Sequence, residues 1–272
     1  MKGALLFRAT HPNHKSAGCG RRNPLRVGMG TRFAFFDLDG TLLPWDTQLL
    51  FCNFVLKRQG WRRLLLLPFL CLVPLGALRI LRSRALKRVF LGYLRGMRRD
   101  ELAALAEEFA REVVAVHVWP EMRAEAEKRR AEGCVLVLNT ASPGFYAEPI
   151  ARALGFDHCV ATAVVVPERM PGLARIDGPN NKRAAKIDAM RARGLLSADQ
   201  PLPVPGSWAY TDSPVDIPLL GCARHGVLVH PQPEFAALAA ENGWTIVKPE
   251  PAVPCKRRWT CAVRMLFGVW RG

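Results

Sequence analysis

A four-residue apolar run, Phe33-Ala-Phe-Phe36, breaks directly into Asp37-Leu-Asp39-Gly-Thr41, and no other feature constrains the fold as tightly. A run of that length without polar alternation suits a strand covered on both faces, the usual condition in a parallel sheet flanked by helices. Side chains two apart on a strand face the same way, so the carboxylates of Asp37 and Asp39 address one ligand at the strand's C-terminal end. Gly40 allows a sharp backbone turn there. In open α/β sheets that edge is where ligands bind. Two converging carboxylates repel unless a cation lies between them. Mg²⁺ suits such a place, since it takes oxygen ligands and shares itself with substrate phosphates.

Further strand-and-turn segments follow in order. Gly133-Cys-Val-Leu-Val-Leu-Asn-Thr140 puts a second apolar strand before a hydroxyl residue. Gly178-Pro-Asn-Asn-Lys182-Arg-Ala-Ala-Lys186 puts two lysines at the start of a helix expected over Ala184–Arg193. Trp208-Ala-Tyr-Thr-Asp212-Ser-Pro-Val-Asp216 adds a strand ending in an acidic pair. Gly226-Val-Leu-Val-His230 adds another, ahead of an Ala-rich helix from Glu234. This alternation predicts an α/β fold built on a doubly wound parallel sheet. No repeat with a period of about 20–50 residues is visible, which argues against a solenoid.

The ordered set resembles the haloacid dehalogenase (HAD) superfamily of phosphatases, and within it subfamily IB, the branch that includes phosphoserine phosphatase. The stretches TASPGFYAEPIA, YTDSPVDIPLL and LVHPQPEFAALAAENGWTIV are similar to that branch almost residue for residue. The resemblance spans Phe33 to Val247. It implies a HAD Rossmannoid core with an inserted helical cap, and a Mg²⁺-dependent phosphomonoester hydrolase. Asp37 would attack phosphorus to form an aspartyl-phosphate. Asp39 would protonate the leaving alkoxide and then activate water, as general acid and base in turn. Thr140 and the Ala141 amide would hold a phosphoryl oxygen, in a phosphate site that also takes in Gly40 and Thr41. A lysine would neutralise the transferring group. Asp212 would join Asp37 and the Asp39 carbonyl around Mg²⁺, with Asp216 supporting metal or lysine.

Some assignments have plainer alternatives. Thr140 would also serve as a helix cap, and Asp216 as a cap for the turn into Ile217–Leu220. Aligned on the family's Gly-Pro-Asn start, Lys186 takes the catalytic place, and Lys182 is the alternative. That segment lacks the Cys and Gly usual before the lysine. Asn139 is a second departure, polar where an apolar residue is more usual. None of the six histidines falls in a catalytic pattern.

Charge and hydropathy single out the insertion. The net charge of +16 is segregated: residues 1–32 hold seven Lys/Arg, residues 47–99 hold twelve and residues 251–272 hold five, all without an acid. Such a field favours an anionic partner over a merely solvated surface. Nucleic acid is not expected, since no interleaved aromatics accompany the charge. The resemblance divides the chain into a core (residues 33–45 and 133–248) and a helical cap (residues 46–132). Residues 1–32 read as a basic, disordered arm, with Met29 as an alternative start and no secretory signal. Residues 249–272 form a basic aromatic tail.

Within the cap, Leu64–Leu78 is uncharged, carries Pro68 and Pro74, and is fenced by arginines. As a helix it would be about 22 Å long, short of a bilayer's hydrocarbon core. A single crossing would also put Asp37 and Thr140 on opposite sides of a membrane. The run is then either the buried heart of the cap or a monotopic surface on anionic lipid, with the tail as a second contact. The second arrangement is similar to the phosphatidylglycerophosphatases of the same branch. It implies a phospholipid headgroup as substrate and a peripheral or monotopic place at the cytoplasmic face of a membrane. The alternative is a small soluble ester such as phosphoserine, for whose amine Asp46 is the one nearby carboxylate. An inactive HAD scaffold is disfavoured by the intact acidic residues. The eight cysteines show no metal spacing and read as buried, reduced thiols.

Overall fold

The computed structural model describes residues 30–78, 80–197, 199–250 and 258–271, so the expected basic arm lies almost wholly outside the described residues. Among the described residues eight strands form: β1 (Phe33–Phe36), β2 (Val135–Pro143), β3 (His158–Thr162), β4 (Val164–Val165), β5 (Arg175–Ile176), β6 (Val204–Thr211), β7 (Ala223–Val229) and β8 (Thr245–Val247). Six of them make one parallel sheet in the order β3-β2-β1-β6-β7-β8, while β4 and β5 pair as an antiparallel ribbon. The chain runs outward from β1 to β3, then restarts beside β1 with β6 and runs outward the other way. That reversal opens a crevice at the C-terminal ends of β1 and β6, where doubly wound folds bind ligands.

Two-sided burial explains why β1 does not alternate. Ala34 and Phe36 pack into one core layer with Tyr146, Phe156 and Tyr210. Phe33 and Phe35 pack into the other with Val137, Met190 and Phe235. Phe36 stacks on Tyr210 with ring centroids 4.1 Å apart. All four β1 residues are completely buried, which fixes the register of the strand that carries Asp37.

Between β1 and β2 the chain makes α1 (Thr47–Arg58), a 3₁₀ turn (Gly60–Leu66), α2 (Leu67–Ala77), α3 (Ser83–Phe90) and α4 (Arg99–Phe109). Leu102, Leu105 and Phe109 form the buried stripe of α4. Helix Pro120–Ala131 then returns along the sheet, where Arg129 lies 3.5 Å over the Trp208 ring and its Nε donates to the Tyr210 hydroxyl. Gly133, at φ +81°, ends that approach and starts β2.

The apolar run is not the heart of the cap. No residue of α2 is buried, and Leu64, Leu67 and Leu78 are more than half exposed. Its Phe69 does pack on Phe90 of α3, with centroids 4.9 Å apart. Pro68 falls in the first turn of α2, where a missing N–H costs nothing, and marks the change from 3₁₀ to α geometry. By length and composition Gly60–Ala77 suffices to cross a membrane, with mean hydropathy 1.3. Yet β1 and β2 are neighbours, with Phe33 opposite Val135, so one crossing between them would tear the sheet apart.

The tail contains a helix, Arg258–Leu266, and is docked along one side rather than free. Cys261, Met265 and Trp270 are buried against the body of the protein. Trp270 meets Trp45 edge-on at 5.1 Å, and its backbone exchanges two hydrogen bonds with the Asn53 amide on α1. Trp259 and Val269 remain exposed. The expectation of buried, reduced thiols needs correction twice. Cys261 is disulfide-bonded, and Cys71 on α2 is exposed. Sequence spacing carries no information on whether two Cβ atoms approach closely enough to pair.

Trp270→Ala should cost about 3 kcal/mol of stability, the usual range for deleting a buried aromatic ring. Urea unfolding followed by tryptophan fluorescence and circular dichroism would measure it; a change under about 0.5 kcal/mol would show the tail to be dispensable.

Candidate active site

The crevice is lined by Asp37, Asp39, Asp46, Lys87, Lys186, Asp212 and Asp216 among others, and its volume is about 420 Å³. Asp37 follows β1 directly. Its N–H donates to the Tyr210 carbonyl at 3.0 Å, so β1–β6 pairing continues to the residue that carries the carboxylate. Asp37 Oδ1 accepts from Lys186 Nζ at 2.7 Å, and the same ammonium donates to Asp216 Oδ2 at 2.5 Å. Lys186 sits on the first turn of helix Ala185–Ala192 and is 1% exposed. Of the two candidate lysines it is the one that touches Asp37. Lys182 is exposed at the cleft's edge.

The turn after β1 is built around Asp212. Gly40 has φ +78°, and a Cβ there would overlap the Asp212 carboxylate, so both backbone shape and space require glycine. Thr41 is wholly buried, and its hydroxyl accepts from the Asp212 N–H at 3.1 Å. Asp39 uses both oxygens: Oδ1 accepts from Thr47 N–H at 2.6 Å and Oδ2 from the Ser142 hydroxyl at 2.8 Å. It thereby ties the start of α1 to the end of β2.

Thr140 is brought to the end of β2 but lies behind the lining, fully buried, where its hydroxyl accepts from Ser142 N–H at 3.0 Å. Ala141 and Ser142 line the cleft instead. Asp216 also accepts from the Thr211 hydroxyl at 3.3 Å.

Several residues that sequence reasoning passed over belong to the site. Ser142 lies two residues from Thr140 in an extended segment, so strand alternation would have found it. Asn181 is buried and its Nδ2 reaches Asn139 Oδ1, the Thr140 carbonyl and the Val160 carbonyl at 2.8–3.0 Å. Asn139, in turn, donates to the Lys186 carbonyl at 3.3 Å. The polar departure at 139 is thus one end of a buried bridge from β2 to the helix carrying Lys186. Lys87, delivered by α3, left no local signal.

Electrostatics at the site are dominated by crowding. Burial, together with repulsion from Asp216, Asp212 and Asp39, outweighs Lys186 and pushes the Asp37 carboxyl up to about 8. Burial likewise raises Asp212 to about 6, and Asp39 and Asp216 add to it. Burial pulls the Lys186 ammonium down, but Asp37 and Asp216 overcome this and hold it above its ordinary value. The buried Lys186 ammonium is shared by Asp37 and Asp216, with Asp39 and Asp212 in the same crevice. Their oxygens suit Mg²⁺. Among the described residues no group of three or more His, Cys, Asp or Glu side chains converges on a metal position.

Asp46 caps α1, with Oδ1 accepting from Gln48 and Leu49 N–H. Burial, then repulsion from Asp39, raises its pKa to about 6. The native state therefore holds this proton more tightly than the unfolded chain. The resulting penalty is absent below about pH 4 and complete above about pH 6. Asp46→Asn keeps the cap and removes the titration. Asp46 is itself more than a third open to solvent, which screens much of this effect, so the stability of the wild type relative to this variant should fall by only about 1 kcal/mol or less between pH 4 and 6, measured by urea unfolding. A flat difference would show that the carboxyl is not strained.

Comparison with known proteins agrees with this geometry. Residues 34–221 match the family model for haloacid dehalogenase-like hydrolases. The chain is 30% identical over 237 residues to phosphoserine phosphatase SerB1 of Mycobacterium tuberculosis, covering 85% of this chain and 74% of that one. A protein of unknown function from Bordetella pertussis Tohama I superposes with a TM-score of 0.66 at 30% identity, covering 80% of this chain and 98% of that one. A probable phosphoserine phosphatase from Vibrio cholerae shares the fold at 15% identity, with a TM-score of 0.57 over 90% of this chain and 67% of that one. The parallel order around β1, the paired Asp37 and Asp39, the buried lysine and the family match lead to one assignment: the chain belongs to the haloacid dehalogenase-like hydrolases.

Proposed function

We propose that this HAD-type phosphatase acts on a small, soluble phosphomonoester that carries an amine, of which phosphoserine is the model. The observation that carries this reading is the place of Asp46. It lines the same cleft as Asp37, and with Oδ1 committed to the α1 cap, Oδ2 is left for a cationic group of the substrate. The similarity to a protein named phosphoserine phosphatase SerB1 supports the same choice.

In this reading Asp37 Oδ2 attacks phosphorus while Oδ1 stays on Lys186, so the nucleophile is aimed by an ion pair. Lys186 also offsets charge on the transferring group. Asp39 gives a proton to the leaving alkoxide and then takes one from the water that hydrolyses the aspartyl-phosphate. Thr47 N–H and Ser142 orient its carboxyl for both duties. Ala141 and Ser142 line the phosphoryl side of the cleft, and Thr140, whose hydroxyl takes the Ser142 N–H, braces that turn from behind. Asp37, Asp212 and the Asp39 carbonyl would hold Mg²⁺, which would supply positive charge to the phosphoryl oxygens.

One observation favours a second reading, a phospholipid headgroup phosphate such as that of phosphatidylglycerophosphate. Phe69 joins the exposed, arginine-fenced α2 to the cleft lining, so a lipid-facing α2 at the cytoplasmic face of a membrane would hold the cleft near headgroups.

Phosphate release from phosphoserine in buffer should be Mg²⁺-dependent and fall about a thousandfold or more in Asp37→Asn. Release from phosphatidylglycerophosphate in mixed micelles, with none from phosphoserine, would replace the first reading by the second.

A further inference from the structure

Lys186 is held between two carboxylates, whereas two other lysines reach the same cleft without a carboxylate in ion-pair contact. Lys87 comes from α3 and Lys182 from the loop that follows Gly178. Among the described residues neither ammonium forms an ion pair.

The placement of Lys87 is built, not incidental. Arg84 donates to the Ile176 carbonyl at 3.0 Å and Arg88 to the Ala174 carbonyl at 2.9 Å, pinning one face of α3 to the β4–β5 ribbon. Lys87 lies one turn from Arg84 and reaches the core: Nζ donates to the Ala141 carbonyl at 2.5 Å and to Asn180 Oδ1 at 2.9 Å. An ammonium has three protons, so one is left for a ligand. Asn180 Nδ2 is a buried donor with no hydrogen-bond partner among the described residues.

Lys182 is held by its neighbours. Its N–H donates to the Asn180 carbonyl at 2.7 Å, Arg183 adopts φ +56°, and Asn181 is fastened by three hydrogen bonds. Burial first, and then repulsion from Lys182, lowers Lys87 to about 8, which the attraction of Asp39 and Asp46 only partly offsets. Two like charges held over one cleft are costly unless an anion sits between them.

We propose that Lys87 and Lys182 form a second anion subsite beside the phosphoryl site, which takes a negatively charged group carried by the substrate's leaving group. It rests on the phosphatase reading and extends it. A carboxylate, as in phosphoserine, and a phosphodiester, as in a lipid headgroup, share this chemistry. An ester with an uncharged or purely cationic leaving group lacks it. Lys87 and Lys182 are specificity-determining residues, distinct from the Asp37–Lys186 pair that meets the reacting phosphorus.

The experiment compares kcat/KM for phosphoserine, phosphoethanolamine and phosphatidylglycerophosphate in micelles across wild type, Lys87→Met, Lys182→Met and Lys87→Arg. The ratio of kcat/KM for esters with and without the second anion should fall about tenfold or more in each Met variant, mainly through KM. Lys87→Arg should recover part of it. Whether phosphoserine or the lipid shows the larger drop identifies the source of the anion. An unchanged ratio in both Met variants overturns the subsite. Calorimetric binding in an Asp37→Asn background separates this from the phosphatase reading. Tighter binding of phosphoserine than of phosphoethanolamine, abolished by Lys87→Met, supports the subsite even if no ester is hydrolysed. Equal binding of the two esters overturns it.

Discussion

Asp37 and Asp216 share one buried ammonium where β1 and β6 end, with Asp39 and Asp212 lining the same crevice, and the rest of the architecture serves that arrangement. Asp37 arrives on a strand buried on both faces, Asp212 on its neighbour, and Asp216 on the turn that follows. Lys186 reaches them from a helix on the other side of the crevice. Like charges so close are tolerated only where counter-charge is fixed, and the ammonium, with no solvent to shield it, cannot swing away. The reversal of strand order between β1 and β6 is what makes room for the cluster without interrupting a β-ladder.

The insertion does two jobs from one position in the chain. It leaves β1 immediately after the acidic turn and returns to β2 beside it, so its helices stand over the crevice without disturbing the sheet. α1 and α3 contribute to the lining, α1 through Gln48 beside the capping Asp46, α3 through Lys87. α2 contributes Phe69 alone and otherwise turns an apolar surface outward. Chemistry and surroundings are thus handled by adjacent segments, and substrate preference can shift in the insertion while the carboxylate cluster stays as it is.

Most of the core was legible in the chain because it is local. An apolar run ending in Asp-x-Asp-Gly, and another ending in Asp212, state both where a strand stops and what it presents. The helix expected over Ala184–Arg193 is observed at Ala185–Ala192. Lys186 could be preferred over Lys182 by alignment, and its contact with Asp37 is a fact of three dimensions. What was not legible is what depends on distance along the chain. Lys87 meets Ala141 across 54 positions, and Trp270 meets Asn53 across 217. Exposure of α2 was hidden for a related reason: an uncharged run looks the same whether or not another element covers it, and only tertiary packing decides.

The Asn139–Asn181 bridge has a bearing on how such a site can diverge. Both amides are buried, and Asn181 Nδ2 donates to Asn139 Oδ1 as well as to the Thr140 and Val160 carbonyls. Changing Asn181 alone would strand Asn139 Oδ1 and take a donor from two backbone carbonyls, while an apolar residue at 139 removes only one of the three acceptors that Asn181 uses. Divergence at the two positions is thus ordered: 139 can change at smaller cost, and 181 only at a larger one. The lysine-bearing helix is tied to β2 through Asn139 and the Lys186 carbonyl, so that order also bears on how firmly the buried ammonium is held.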